Sequence, residues 1–187
     1  MLNYHSSIKK EKSYSGLTVK EIAPVMKLNL RGRSREFLSI IGKNINMILP
    51  MEANTSSSSD TYTSMWLSPD EWMLISNNTV DKENNKYEIE EFLFNKISKT
   101  NLGAVTDVSD QFVMIKLKGE KIFDLLSAGC PFNFNEFKTK KGAAIQTLLL
   151  QIDVIIHLKE INTVNLFVRR SFSQHLMSWI DDTASRL

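Results

Sequence analysis

The sequence predicts an α+β fold made of two similar units, each ordered strand, helix, strands and helix. The first observation is that residues 28–32 and 115–119 both alternate apolar and polar side chains and stop at glycine, which is typical of a half-buried strand ending in a turn. The second is that a short helical pattern follows each strand, over residues 34–42 and 121–129. Two such units would pair their sheets or share one core.

A constant offset relates the two strand–helix segments. Three pairs of residues match at this offset: Gly32 with Gly119, Leu38 with Leu125, and Gly42 with Gly129. Because glycine readily takes the left-handed conformation that ends a helix, Gly42 and Gly129 are expected to follow their helices. Leu38 and Leu125 are expected to face the core. The match predicts an internal duplication with pseudo-two-fold symmetry.

The remaining predicted elements follow the same order in both halves. They are strands at 45–49, 64–67 and 71–76 with a helix at 87–99, then strands at 144–158 and 164–169 with a helix at 172–183. Residues 1–16 are polar and patternless, which predicts a flexible N-terminal arm. One domain is therefore expected over residues 17–187, made of halves at about 17–100 and 101–187. A serine-rich stretch within 51–64 predicts a surface loop.

Composition excludes several classes of protein. The 187 residues are 42% hydrophobic and 24% charged, as in ordinary globular proteins. The net charge of +2 is too small for a dedicated nucleic-acid binder. One cysteine allows neither an intramolecular disulfide nor a cysteine-cluster zinc site. No signal peptide or apolar run of about 20 residues is visible, so we expect a cytoplasmic protein without membrane contact.

The histidines and the cysteine do not suggest catalysis. His5, His157 and His175 are far apart in the sequence and form no H-x-x-x-H or H-E-x-x-H pair, so no helical metal site is supported. Cys130 follows a predicted helix, and the partial negative charge at a helix C-terminus disfavours a thiolate. Cys130 is therefore expected to be a small, buried, chemically inert residue in a turn.

The carboxylates do not suggest an acid–base pair either. Asp70 and Glu71 are adjacent, so on a strand they would point to opposite faces. Asp107 and Ser109 alternate on one face, and the short carboxylate of Asp107 is expected to fix a turn or a backbone bond. No catalytic, cofactor-binding or metal-binding residues are predicted, and no dinucleotide or phosphate loop motif occurs.

Four residues are candidates for a protein interface. Trp66 and Trp72 admit two interpretations, since patterned aromatics usually lie in the core and tryptophan is also enriched at interfaces. Arg169 and Arg170 stand at a predicted strand-to-helix junction, where they could bind an anion or a partner's carboxylate. Ser171 is a candidate N-cap for the last helix, because its hydroxyl can accept a free backbone N–H.

Short strings in a characteristic order cover residues 17–183. They are Leu30-Arg31-Gly32, Leu49-Pro50, the run from Trp66 to Leu74, Asp107-Val108-Ser109, Leu117-Lys118-Gly119, the run from Leu125 to Pro131, Thr147, and Arg170-Ser171-Phe172. In this order they resemble the gamma subunit of heterotetrameric sarcosine oxidase. The tryptophan-bracketed and Arg-Ser-Phe strings are the most specific. Ser68 and Ser173 depart from the expected glycine and alanine, but both remain small residues.

The resemblance implies a function that the residue patterns alone do not. It implies a fold like the folate-binding domain of aminomethyltransferases, and a non-catalytic, structural role in a bacterial enzyme of sarcosine catabolism and one-carbon metabolism. That complex oxidatively demethylates sarcosine and passes the one-carbon unit to tetrahydrofolate. The alpha subunit is the expected main partner, with beta and delta subunits in the same complex. FAD, FMN, NAD, zinc and tetrahydrofolate are expected on those subunits, with no cofactor bound by this chain.

Two alternatives remain open at this point. Related subunits serve in N-methylglutamate dehydrogenase, so the N-methyl amino acid is not determined by the resemblance. The chain could also be a standalone folate-binding, aminomethyltransferase-like protein. The tRNA-modifying members of that superfamily carry a Lys-Gly-Cys-Tyr-x-Gly-Gln-Glu string, which the surroundings of Cys130 do not match.

Overall fold

A computed structural model of the chain describes residue 6 and residues 11–78 and 88–187. Within these ranges the elements follow one another in the order β1 (Lys12–Tyr14), β2 (Leu17–Glu21), β3 (Lys27–Arg31), α1 (Arg35–Ile45), β4 (Ser56–Ser58), β5 (Tyr62–Ser68), β6 (Glu71–Ser76), α2 (Glu88–Leu93), a π-helical turn (Phe94–Ser98), β7 (Ala104–Asp107), β8 (Phe112–Lys118), α3 (Ile122–Ser127), β9 (Ala144–Leu149), β10 (Ile152–Glu160), β11 (Thr163–Arg169) and α4 (Ser173–Ala184). Short 3₁₀ turns occupy Phe137–Thr139 and Arg170–Phe172. No helix of the described ranges is both long and apolar enough to cross a membrane.

The chain divides into two compact units. The inserted unit is Ala23–Asp110, and the terminal unit combines Gln111–Leu187 with the N-terminal segment that ends at Ile22. These units differ from the predicted halves 17–100 and 101–187, because β2 pairs with β8 and so joins the C-terminal part of the chain. Strand β1 also lies inside the segment predicted as an arm, since it pairs with β2 through Lys12 and Val19.

The terminal unit contains an antiparallel six-stranded sheet in the order β1-β2-β8-β11-β10-β9. Alternate residues of the central strand β8, namely Val113, Ile115 and Leu117, are buried on one face. Residues from α3 and α4 join the same core, among them Leu125 and Leu176, both with 0% exposure. The period of two in the strand and the helical spacing in α4 therefore converge on one apolar layer.

The inserted unit contains an antiparallel five-stranded sheet in the order β4-β5-β6-β3-β7. Phe37, Ile41 and Ile45 recur every four residues on α1, so one face of this helix is apolar and buried. They pack against Leu28 and Leu30 of β3 and against residues of β6, α2 and the π-helical turn. All-antiparallel sheets with helices against a face are consistent with the predicted α+β class.

Helix α1 differs from its prediction at both its end and its buried face. The strand predicted at 45–49 does not form, because Ile45 continues the buried face of α1 and extends the helix past Gly42. Asn46 ends the helix in the left-handed conformation, with φ of 49° and its N–H on the carbonyl of Gly42. Leu38 is half-buried rather than central, because Phe37 occupies the core.

Helix α3 fulfils part of its prediction. Leu125 is fully buried, as expected. Gly129 follows the helix but is not among the residues with positive φ, so the expected left-handed glycine cap is wrong. Ala128 ends α3 in the right-handed conformation, with bifurcated bonds to carbonyls of the last turn.

The remaining predicted elements mostly form. The strand predicted at 71–76 coincides with β6, and the one at 64–67 lies within β5. The stretch 144–158 folds as the hairpin of β9 and β10, with Leu150 and Gln151 at positive φ in its turn. The predicted helix at 87–99 becomes α2 and the π-helical turn, and residue 87 lies outside the described residues. Part of the predicted serine-rich loop forms β4, which pairs with β5.

Strands β3 and β8 occupy corresponding places in the two sheets. Leu30 of β3 pairs with Trp72 of β6 and Val105 of β7. Leu117 of β8, at the offset of the sequence repeat, pairs with Val164 of β11 and Val19 of β2. Strand β2 therefore holds in the terminal unit the place that β7 holds in the inserted unit.

Gly119 ends β8 at a point that excludes side chains. Its φ is +139°, a conformation that only glycine adopts without strain. A Cβ at this position would lie 2.1 Å from the carbonyl oxygen of Gly16. The glycine that stops the alternating pattern in the sequence is therefore required by a close approach of two backbone segments.

Candidate functional site

The two tryptophans considered for an interface occupy neighbouring positions on β5 and β6, where Trp66 pairs with Trp72. Trp72 is 1% exposed, and its ring lies 6.1 Å from that of Phe37, centroid to centroid. Its indole Nε1 donates a 2.7 Å hydrogen bond to the carbonyl of Pro50. Trp72 is thus a core residue, in agreement with the first of the two interpretations that the sequence allows. Trp66 is half-buried and packs against the same core.

The turn between the tryptophans is built around Asp70. Its Oδ1 accepts a 2.8 Å bond from Ser68 Oγ, and its Oδ2 accepts a 3.2 Å bond from Arg33 Nε. The Ser68 hydrogen bond, assisted by the positive charge of Arg33, lowers the pKa of Asp70 below its ordinary value. The carboxylate therefore stays ionised and shapes the turn. A glycine in place of Ser68, as the family pattern expects, would lack the first of these bonds.

Glu71 is separated from Asp70 in its contacts, as the strand geometry predicts. Its Oε1 accepts a 2.7 Å hydrogen bond from Asn29 Nδ2, and its Oε2 lies 4.0 Å from Arg31 Nε. Both partners belong to β3, which pairs with β6 through Arg31 and Glu71. Each adjacent carboxylate is thus engaged with its own partners, and the two do not form an acid–base pair.

Asp107 fixes a turn, and this prediction is confirmed. Its Oδ1 accepts a 2.8 Å bond from the backbone N–H of Ser109, two residues on. The same turn also binds Lys27, which the sequence analysis did not single out. Lys27 is 2% exposed, and its Nζ donates to the carbonyls of Val25 at 3.1 Å and of Ser109 at 2.9 Å. Lys27 therefore links the segment that begins the inserted unit to the segment that ends it.

The two arginines at the start of the last helix lie in different environments. Arg169 ends β11 and is exposed, whereas Arg170 begins a 3₁₀ turn and its N–H donates to the carbonyl of Gln111 at 2.8 Å. Ser171 is not the N-cap of α4, because the 3₁₀ turn places Phe172 at that position without a side-chain cap. Ser173 instead donates from its hydroxyl to the carbonyl of Arg170 at 2.7 Å.

Cys130 lies in the turn after α3, as predicted. It is 7% exposed, its N–H donates to the carbonyl of Leu126 at 2.9 Å, and its Sγ lies 3.6 Å from Thr147 Oγ1. Within the described part of the chain, the thiol makes no hydrogen bond to a charged side chain. Its surroundings are those of a small core residue.

The histidines do not converge on one site. His157 is 3% exposed on β10, and burial, with a smaller effect from Lys159, lowers its pKa to about 4. It is therefore neutral at pH 7. His175 is exposed on α4, and His5 lies outside the described residues. Among residues 11–78 and 88–187 there is no group of three His, Cys, Asp or Glu side chains that could hold a metal ion.

An open groove on the inserted unit was not foreseen from the sequence. It runs between α1 on one side and α2 with the π-helical turn on the other. Its main lining residues are Glu36, Ile40, Lys43, Phe92, Lys96 and Leu102. The sequence signal that could have found it is the pair Phe92 and Phe94 between acidic residues at 88–91 and lysines at 96 and 99. In the structure the two rings are 39% and 43% exposed.

Comparison with known proteins gives a family and a fold. Residues 33–186 match the family model described as "Sarcosine oxidase, gamma subunit family". The structure is similar to a chain of the heterotetrameric sarcosine oxidase from Corynebacterium sp. U-96, solved in complex with pyrrole 2-carboxylate, with a TM-score of 0.80 and 21% identity. The match covers 94% of this chain and 87% of that one. Among curated proteins, none matches significantly.

Proposed function

Because the chain belongs to the sarcosine oxidase gamma subunit family, we propose that it is the non-catalytic gamma subunit of a heterotetrameric sarcosine oxidase. The observation that carries the proposal is the family match over residues 33–186. The shared fold with a chain of such an enzyme supports it. The placement of the candidate residues supports a structural role, since Asp70, Glu71 and Asp107 are engaged in turn and strand contacts.

The chemistry of the whole complex forms the second part of the proposal. The complex oxidatively demethylates sarcosine and transfers the one-carbon unit to tetrahydrofolate in the cytoplasm. FAD, FMN, NAD, zinc and tetrahydrofolate bind to the other subunits, and the isolated chain is inactive. Purified complex assayed with sarcosine and with N-methylglutamate distinguishes the two substrates, and turnover of N-methylglutamate alone would overturn the choice of sarcosine.

Internal duplication is the third part of the proposal. It is supported by the corresponding registers of β3 and β8, each paired on both sides at the positions that the sequence offset relates. A fold like the folate-binding domain of aminomethyltransferases, which the family resemblance implies, agrees with such a duplication. Superposing the inserted unit on the terminal unit tests it, with Gly32 expected on Gly119. Superposition that leaves these two strands unaligned would reject the duplication.

The partner expected for this subunit is the alpha subunit. Three residues remain candidates for contact with it, namely the exposed Arg169, Arg170 and the half-buried Trp66. Co-expression with and without the alpha subunit, followed by size-exclusion chromatography and a melting scan, tests the assignment. A partner that binds only the folded chain stabilises it by about 2.7 kcal/mol at a hundred times Kd. A chain that elutes alone beside the alpha subunit, with an unchanged Tm, contradicts the proposal.

A further inference from the structure

The groove between α1 and the helical segment 88–98 combines an apolar floor with free positive charges. Ile40 and Leu102 pack on the core with their inner sides and line the groove with the remainder. Phe92 adds an aromatic ring that is 39% exposed. Such a floor is an unfilled apolar surface of the kind that protein partners cover.

Most polar side chains of the groove are already satisfied by their own helices. Asn44 Nδ2 donates to the carbonyl of Ile40 at 2.7 Å. Thr100 Oγ1 lies 2.6 Å from the carbonyl of Lys96 and 3.1 Å from that of Ile97. Because these donors are engaged with the backbone, the strongest remaining interactions in the groove come from its charged side chains.

Two lysines supply that charge. Lys43 and Lys96 line opposite walls, and neither forms an ion pair with any residue that the structure describes. Lys96 Nζ lies 6.0 Å from the ring centroid of Phe92, which orients the ammonium over the floor. Within this lining two lysines stand beside one acidic residue, Glu36, and Glu88 lines the adjoining cavity that shares Asn44 and Phe92.

A π-helical turn forms part of the wall that carries the aromatic and basic side chains. A π-turn adds a residue to one turn of helix, and such turns occur frequently at functional sites. Here it begins at Phe94, directly after α2 ends at Leu93, and the Phe94 ring is 43% exposed with its centroid 5.9 Å from Lys99 Nζ. Two exposed aromatic–lysine pairs are thereby presented by one short segment.

We propose that this groove binds an acidic amphipathic segment of another subunit of the same enzyme. The apolar side chains of that segment would contact Ile40, Phe92 and Leu102, and its carboxylates would pair with Lys43 and Lys96. The inference rests on the proposed function, because it takes the partner to be a subunit of the complex. Charge complementarity selects the occupant: two ammonium groups that form no ion pair with a described residue, beside an apolar floor, favour carboxylates over a neutral or basic segment.

The test compares two pairs of charge reversals in the co-expressed complex. Lys43→Glu with Lys96→Glu is expected to raise the Kd of the subunit at least tenfold at low salt, to slow association, and to reverse the sign of the salt dependence that these two charges contribute. Charges at the rim of an interface act mainly on the association rate and on how that rate depends on salt. At 1 M salt the attraction between charges is screened beyond about 3 Å. Lys138→Glu with Lys159→Glu is the matched control, because both lysines are exposed on the terminal unit and form no ion pair with described residues.

Further variants separate recognition from folding. Lys43→Arg with Lys96→Arg is expected to retain affinity, and Phe92→Ala to speed dissociation while circular dichroism stays unchanged. If the wild-type chain assembles into the complex and the groove and control reversals give equal Kd values, the groove is not the binding site. The proposed function would then still stand. Failure to recover the wild-type chain with any other subunit would overturn the proposed function itself. If the wild-type chain forms a homodimer and the groove reversals abolish that dimer, the groove binds a second copy of this chain. That result would overturn the proposal.

Discussion

Replacing Trp72 by phenylalanine tests how the core of the inserted unit holds the segment after α1. The indole is 1% exposed and its N–H is 2.7 Å from the carbonyl oxygen of Pro50, which is also buried. Trp72→Phe keeps an aromatic ring near Phe37 but leaves this carbonyl without its donor. An unsatisfied buried polar group costs about 1–3 kcal/mol, so we expect a loss of about 2 kcal/mol in the free energy of unfolding. Trp72→Ala also creates a cavity and should cost about 3–5 kcal/mol.

Urea unfolding followed by circular dichroism measures these changes, with Trp66→Phe as the matched control. Trp66 sits opposite Trp72 on the neighbouring strand and is half-buried, and its indole N–H makes no hydrogen bond to a described residue. We expect Trp66→Phe to cost less than about 1 kcal/mol. In a chain of this size Trp72→Phe should lower Tm by about 4–8 °C, at about 2–4 °C per kcal/mol.

The loss should also appear locally. Because the bond to Pro50 anchors the irregular segment 46–55, amide exchange there should accelerate in Trp72→Phe and stay unchanged in Trp66→Phe. Equal stability losses in the two variants, or a loss below about 0.5 kcal/mol in Trp72→Phe, would refute the reasoning that this hydrogen bond stabilises the core.

Four further predictions concern other parts of the chain. Leu125→Ala should lower the free energy of unfolding by about 2–5 kcal/mol, since the side chain is fully buried; a loss below about 1 kcal/mol in urea unfolding would contradict its central place. Cys130→Ser should leave turnover of the assembled complex nearly unchanged, and a hundredfold drop with assembly intact would show a chemical role. Ser64→Ala should be neutral or stabilising in thermal melts, because Ser64 Oγ is buried without a hydrogen-bond partner among the described residues. His157 has a pKa of about 4 in the folded chain, below its ordinary value of 6.5, so the unfolded chain binds more protons between these two pH values. The free energy of unfolding should therefore fall as pH drops through that window. His157→Leu should flatten this part of the pH–stability profile, and an unchanged slope would contradict the prediction.

The candidate site could be anticipated only where its contacts are local. Asp107 was correctly assigned to a turn because its acceptor bond reaches Ser109, two residues along the chain. The place of Cys130 in a turn can be predicted in the same way, from its position after a short helix. The contacts of Lys27 could not be predicted from the sequence, because they require Ser109, which only the folded chain places beside β3. The groove could not be predicted either, because its two walls are far apart in the sequence.

Local periodicity determined most of the secondary structure of this protein. Alternation predicts β3 and β8, and helical spacing predicts the helix after Gly119, because each pattern needs only neighbours within a few residues. Tertiary structure decided which strands pair. The N-terminal β2 joins β8 across the whole inserted unit, a choice that depends on matched apolar faces and register rather than on chain distance. It also decided that α1 continues to Ile45 and that Trp72 is buried, because burial depends on what the rest of the chain places opposite a side chain.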